Sequence, residues 1–246
     1  MGARVTGIET FREAARRVRA KGRNILSEPD AKRVLSAFGI AVPRSAVVMQ
    51  PDTLGPASAL SPPLAIKAIA PEIVHKSDVG GVRLAIPDLA AAGSAIAETS
   101  ARLGAQGHTI EGFLIEEMAP KGHQIVIGSV RDASFGPLVM FGLGGIFVEV
   151  LKDVAFRICP VDAIDASEMV DEVAGAAILR GARGGLAVPD KVLIDAILAV
   201  GGRDGLVSAL GNEMAQLDLN PLIATAHGIV AVDARLILAP DSARPT

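Results

Sequence analysis

Residues 63–83, PLAIKAIAPEIVHKSDVGGVR, constrain the fold more than any other stretch of the chain. Leu64, Ala65 and Ile66 form an apolar run of strand length, and Lys67 closes it. A polar loop carrying His75, Lys76 and Ser77 follows. Gly80-Gly81 then opens a second, alternating segment with Val82, Leu84 and Ile86. A lysine at a strand end, a polar loop and paired glycines have the makings of a lid over a polyphosphate. Glycine lets backbone N–H groups approach phosphate oxygens, and lysine supplies positive charge. His75 is either an idle, solvent-exposed loop histidine or a group that itself accepts a phosphoryl group.

The rest of the chain is that of a folded α/β protein. Its 246 residues suffice for two lobes. No apolar run reaches the roughly 18–20 residues a membrane helix needs. The early arginines (Arg4, Arg12, Arg16, Arg17 and Arg19) are followed by no apolar core of a signal peptide. One cysteine, Cys159, excludes an internal disulfide and fits a reducing, cytoplasmic compartment. A net charge of −3 and the absence of Tyr and Trp leave no footprint for nucleic acid.

Periodicity predicts a helix over residues 10–20, with Thr10 and Glu13 as a capping box. A second helix starts at Ser27-Glu28-Pro29-Asp30 and ends at Gly39. Strands follow at 46–49 and up to Lys67. Asp88 caps a helix running to about residue 103, stopped by Gly104, and 113–117 is another strand. After residue 123 short apolar strands at 125–130, 138–141, 146–151 and 154–158 predict an antiparallel sheet. Helices are expected at 165–178 and 190–200. The last pair of strands, 214–219 and 229–232, is expected to flank a turn at Asn220-Pro221. The expected organisation is an N-terminal helix over 1–24, a lobe with the lid over 25–120, a second lobe over 121–240 and a tail over 241–246. Two α+β lobes would leave a cleft between them.

Chemistry-bearing residues are few. No P-loop motif is present, and Gly142-Leu143-Gly144-Gly145 has Phe147 where a dinucleotide fingerprint needs its third glycine. The glycines of residues 135–157 read equally as bulges in hairpins. Asp218, Asn220 and Asp233 offer three oxygen ligands on neighbouring strands. Such a sparse set suits Mg²⁺, which keeps water and substrate phosphates in its shell. An Asx turn before Pro221 explains Asp218 and Asn220 as well.

Taken together these segments resemble a known family. LSEPDAKRVLSAFGIAVP, LAIKAIAPEIVHKSDVGGVRL, FLIEEM, RDASFGPLVMFGLGGIFVEVLKDVAFRICPVD, LRGARGG and QLDLNPLIATAHGIVAVDARL run in order from about residue 25 to 238. The chain is similar to the ATP-grasp, β-type subunit of ADP-forming acyl-CoA synthetases of the acetyl-CoA synthetase type. More distantly it resembles the succinyl-CoA synthetase β subunit. The resemblance implies an ATP-grasp fold with a nucleotide cleft between two subdomains, and a phosphohistidine relay that turns acid, ATP and CoA into acyl-CoA, ADP and phosphate.

It also implies roles. Lys67 would contact nucleotide phosphates, with Ser77, Gly80, Gly81 and Val82 in the lid loop. Glu116, Glu117, Met118 and Ala119 would form the hinge that holds adenine. Asn220 and Asp233 would bind Mg²⁺, with Asp218 beside the phosphoryl group, and His75 would carry phosphate. Gln124 stands where the family has glutamate, so ribose binding or nucleotide preference would differ. Nothing resembles a CoA-binding domain, which implies an α-type partner subunit holding CoA and the acid. Two other readings fit the residues. One is an ATP-grasp ligase joining an acid to an amine, which has no need of His75. The other is a non-catalytic nucleotide-binding subunit.

Overall fold

A computed structural model describes residues 2–73, 76–145, 148 and 152–240. The chain divides into two compact units, Pro43–Ala119 and Met1–Val42 with Pro120–Thr246.

Two helices open the second of these. In α1 (Gly2–Ala20), Phe11, Ala14, Ala15 and Val18 recur at helical spacing and are buried. The helix starts well before Thr10, whose hydroxyl donates to the Thr6 carbonyl 2.8 Å away. Thr10 is therefore no cap, because the apolar stripe continues upstream through Ile8. Helix α2 (Glu28–Ala37) starts as expected, with the Ser27 hydroxyl accepting from the Asp30 N–H and Gly39 at a φ of 83° past its end.

Both helices were expected apart from the carboxyl-terminal half, yet they share one core with its sheet. The chain is stitched there by backbone bonds from Leu26 to Leu236 and from Ala231 to Ala41. Inside α2, Lys32 and Glu28 form a buried pair at 3.0 Å, and Lys32 Nζ also donates to the Val232 carbonyl.

The described residues of 43–119 form a four-stranded antiparallel sheet with one α-helix and a short 3-10 turn. Strands β1 (Ser45–Val48), β2 (Leu64–Ile69), β3 (Val82–Ile86) and β4 (Gly112–Glu117) lie in the order β1-β4-β2-β3. Helix α3 (Leu89–Ala105) is capped by Asp88, which accepts from the Ala91 N–H. Its Ala92, Ala95, Ile96 and Leu103 share a core with Leu64, Ile66, Phe113 and Ile115. Gly104 sits inside the helix; the stop comes at Gly107, with a φ of 82°.

The remaining strands are β5 (His123–Asp132), β6 (Gly136–Leu143), β7 (Val154–Ile158), β8 (Met214–Thr225), β9 (Gly228–Ala231) and β10 (Arg235–Leu238). They form an antiparallel sheet in the order β10-β8-β5-β6-β7, with β9 also paired to β8. Helices α4 (Ala163–Glu172), α5 (Ala176–Leu179), α6 (Asp190–Gly201) and α7 (Leu206–Leu210) complete the unit. The helix expected over 165–178 is broken because the Asp153 carboxylate takes the N–H groups of Ala174 and Gly175, both at 2.8 Å. Of the strand expected at 146–151 only Val148 is described, and the tail lies outside the described residues.

Asn220-Pro221 is not a turn. Strand β8 runs straight through it, with a register shift against β5 between Ile125 and Ile127. Buried positions change parity across that bulge, from Leu217 and Leu219 to Leu222 and Ala224. No described helix is long and apolar enough to cross a membrane.

Candidate functional site

Lys67 and Glu116 are the two charges buried in the sheet of residues 43–119. Strands β2 and β4 pair Ala65 with Glu116 and Lys67 with Leu114. Lys67 and Glu116 are thus diagonal neighbours on the face opposite Leu64, Ile66 and Ala68. Lys67 Nζ lies 3.0 Å from Glu116 Oε2, with side chains only 8% and 1% exposed. Strand geometry alone puts them there: period 2 sends both to one face, and antiparallel register brings them within reach.

Glu117 is engaged too. It pairs with Arg44 at 2.9 Å and accepts from the Ser61 N–H at 2.9 Å. Met118 is exposed, and its N–H donates to the Pro63 carbonyl. Ala119 ends the unit. Of the stretch expected to meet adenine, both carboxylates therefore have partners inside their own unit.

The glycine pair holds a tight loop. Gly81 N–H donates to the Lys76 carbonyl at 2.6 Å and Gly80 N–H to the Ser77 carbonyl at 3.0 Å. These amides close the loop rather than stand free. Gly80 has a φ of 71°, where a side chain would be strained. Ser77 is exposed, and Val82 pairs directly with Lys67 across β3 and β2. His75 lies outside the described residues.

The other unit gathers Asp218, Asn220 and Asp233. Asp218 and Asn220 share the less buried face of β8, and Asp233 lies in the link from β9 to β10. The bulge turns the Pro221 carbonyl toward that link, where it accepts from the N–H groups of Val232 and Asp233 at 3.1 and 3.4 Å. Burial, and then the negative charge of Asp233, push the Asp218 carboxyl above its ordinary range; Arg235, its partner across β10, pulls the other way. Two carboxylates close enough to repel, plus an amide oxygen, fit a hard cation that keeps most of its shell for water and phosphate. No group of three or more His, Cys, Asp or Glu among the described residues offers a fuller cage.

Gln124, on β5, is exposed, and its backbone carbonyl accepts from the Gly144 N–H at 2.8 Å. A Cβ on Gly145 would lie 3.1 Å from Gln124 Oε1, so this amide rests over the glycine turn. A Cβ on Gly142 would lie 2.5 Å from the Asp153 carbonyl, which explains that glycine by close packing.

Sequence reasoning missed two charged residues, Arg235 and Lys32, and the partner of a third, Glu116. Glu116 read only as part of a hinge, although the first of the two acids in FLIEE, opposite a lone lysine in LAIKAI, signalled a pair. Arg235 faces Asp218 across β8 and β10, and Lys32 holds the carbonyl that precedes Asp233.

The chain matches the ATP-grasp domain family over residues 17–238. It is 39% identical to the β subunit of ADP-forming acetate–CoA ligase I of Pyrococcus furiosus, over 92% of this chain and 97% of that subunit. It is 38% identical to ADP-forming acetate–CoA ligase I of Archaeoglobus fulgidus, where the match spans 83% of this chain but 30% of that longer one. Its fold superposes on acetyl-CoA synthetase 1 of Candidatus Korarchaeum cryptofilum with a TM-score of 0.78, at 36% identity over 92% of this chain and 99% of that one. That structure holds coenzyme A and Mg-AMPPCP, with a phosphohistidine segment pointing towards the nucleotide site. A match over nearly the whole chain, with these identities, shows that the chain belongs to the ATP-grasp family, on the branch of the β subunits of ADP-forming acyl-CoA synthetases.

Proposed function

We propose that this chain is the nucleotide-binding, β-type subunit of an ADP-forming acid–CoA ligase. The observation that carries the reading is the cluster of Asp218, Asn220 and Asp233, two repelling carboxylates and an amide whose natural complement is a cation escorting phosphates. Asn220 and Asp233 would hold Mg²⁺, which when bound offsets charge on the transferring phosphoryl group. Lys67 contacts the nucleotide phosphates, the loop of Ser77, Gly80, Gly81 and Val82 covers them, and residues 117–119 with Gln124 meet the nucleoside. Glu116 acts on Lys67.

His75 then attacks the γ-phosphorus of ATP. The P–O bond to ADP breaks, a P–N bond to the imidazole forms, and ADP leaves. Imidazole suits this because it is nucleophilic when neutral, close to neutral pH. The phosphoryl group passes next to the carboxylic acid, giving an acyl phosphate, and the CoA thiol displaces phosphate from it. The acid and CoA sites belong to a separate α-type partner. The Pyrococcus relative, named a β subunit, supports a separate partner, whereas the longer Archaeoglobus relative, of which this chain matches 30%, carries the matching segment within one chain. Cys159 takes no nucleophilic part, because burial pushes its thiol up to about 11. The complex is placed in the cytoplasm.

Two measurements test this. Incubation with γ-labelled ATP and Mg²⁺ is expected to leave acid-labile phosphate that maps to His75; label elsewhere, or none, overturns the relay. The chain alone is expected to form no acyl-CoA until a CoA-binding partner is added. Full synthesis by the chain alone would remove the partner from the reading.

A further inference from the structure

Arg102 lies in the last turn of α3 and is half-buried. Its Nη2 donates to the Gly80 carbonyl. A Cβ on Gly80 would lie 2.8 Å from the guanidinium carbon, so the guanidinium rests against the first glycine of the loop. Its Nε–H is buried and donates to nothing. The helix offers it an obvious counter-charge in Glu98, four residues earlier, the spacing of a helical ion pair. Glu98 instead pairs with Arg83 of β3 at 3.3 Å. Among the described residues Arg102 is left with no carboxylate and a spare donor.

A cation drawn out of water without a counter-charge is costly, and buried charges are ordinarily paired. The arginine fork matches a phosphate, two N–H groups on one side of a planar cation. We infer that Arg102 is a phosphate-binding residue of the glycine loop, fastened by the Gly80 carbonyl through one arm and bonding a phosphoryl oxygen through the donor left free. The loop now covers Nε, so phosphate binding is coupled to the position of residues 76–81. This rests on reading that loop as the nucleotide lid. The shared chemistry is a phosphate group, carried by a nucleotide or free in solution.

The test is calorimetric titration of the full chain, with Mg²⁺, by ADP, adenosine and inorganic phosphate. Arg102→Gln keeps an N–H for the Gly80 carbonyl but removes the charge. It is expected to bind ADP about 10- to 100-fold more weakly, the range of a charge-assisted hydrogen bond, with adenosine binding unchanged. Arg102→Lys is expected to recover part of the loss. If only inorganic phosphate binding falls, the phosphate at Arg102 is the free ion and the assignment of the residue stands. If Arg102→Gln binds ADP and phosphate like the wild type, Arg102 merely fastens the loop and the inference fails while the nucleotide reading survives. Equal losses of ADP and adenosine overturn it in the same way. A wild type that binds neither ADP nor phosphate removes the nucleotide reading, and this inference with it. Should Arg102→Gln not fold, Arg102→Lys carries the test, with ADP weakened several-fold and adenosine unchanged.

Discussion

Glu116→Gln is expected to lose about 3–5 kcal/mol of stability, the usual loss when one partner of a buried ion pair is removed. The substitution keeps the shape of the side chain, so no cavity is made and packing is not the cause. What changes is that the Lys67 ammonium, 8% exposed, keeps its desolvation cost and loses the carboxylate 3.0 Å away. Urea unfolding followed by circular dichroism measures the loss; a change below about 1 kcal/mol would show that water or another group compensates Lys67.

The double variant Lys67→Met with Glu116→Leu separates stability from function. Apolar residues of similar volume often replace a buried pair at no net cost. The double variant is therefore expected to recover most of the stability while losing nucleotide binding with the Lys67 ammonium. Recovery of both would mean that Lys67 serves the sheet and not a phosphate.

The same pair shows what a sequence can and cannot disclose. Local rules were legible: Ser27 and Asp88 cap their helices, Gly39 ends one, and apolar runs of strand length placed β2 and β4. These signals depend on neighbours within a few residues. Apart from the local misreadings at Thr10 and Gly104, the failures depended on distant partners. Nothing near Asn24 or Leu26 announces backbone bonds to Leu238 and Leu236, so helices α1 and α2 could not be assigned to the carboxyl-terminal half. Strand β10, four residues long, has no periodicity of its own and exists because β8 offers an edge. Proline normally ends a strand, and Asn220-Pro221 misled for that reason; the ladder tolerates it because a bulge absorbs the missing N–H. Of the candidate site, residue types were legible, but the pairing of Glu116 with Lys67 needed register.

Asp218→Asn is expected to stabilise the protein at pH 7 while lowering turnover with Mg-ATP by on the order of 10²- to 10³-fold, about 3–4 kcal/mol of transition-state stabilisation. Burial first, and Asp233 second, raise the Asp218 carboxyl in the folded protein. A carboxyl raised on folding holds its proton more tightly in the native state. Its favourable contribution is therefore complete below the unfolded carboxylate range and is lost as pH rises through the raised native value. Ionised Asp218 is a cost at pH 7, and the neutral amide removes it. The gain in melting temperature should shrink as pH falls through the carboxylate range, where wild-type Asp218 becomes neutral itself. Mg²⁺ with ADP should raise the wild-type melting temperature and leave Asp218→Asn less affected, since the ligand supplies the charge that Asp218 awaits. A variant that is less stable than wild type at every pH would show that Asp218 is held by Arg235 as a structural pair. One that is more stable yet fully active would place the phosphoryl chemistry elsewhere. A stable but inactive enzyme is the result expected of two like charges kept close for a cation, because their repulsion is tolerated in the fold only for what it binds.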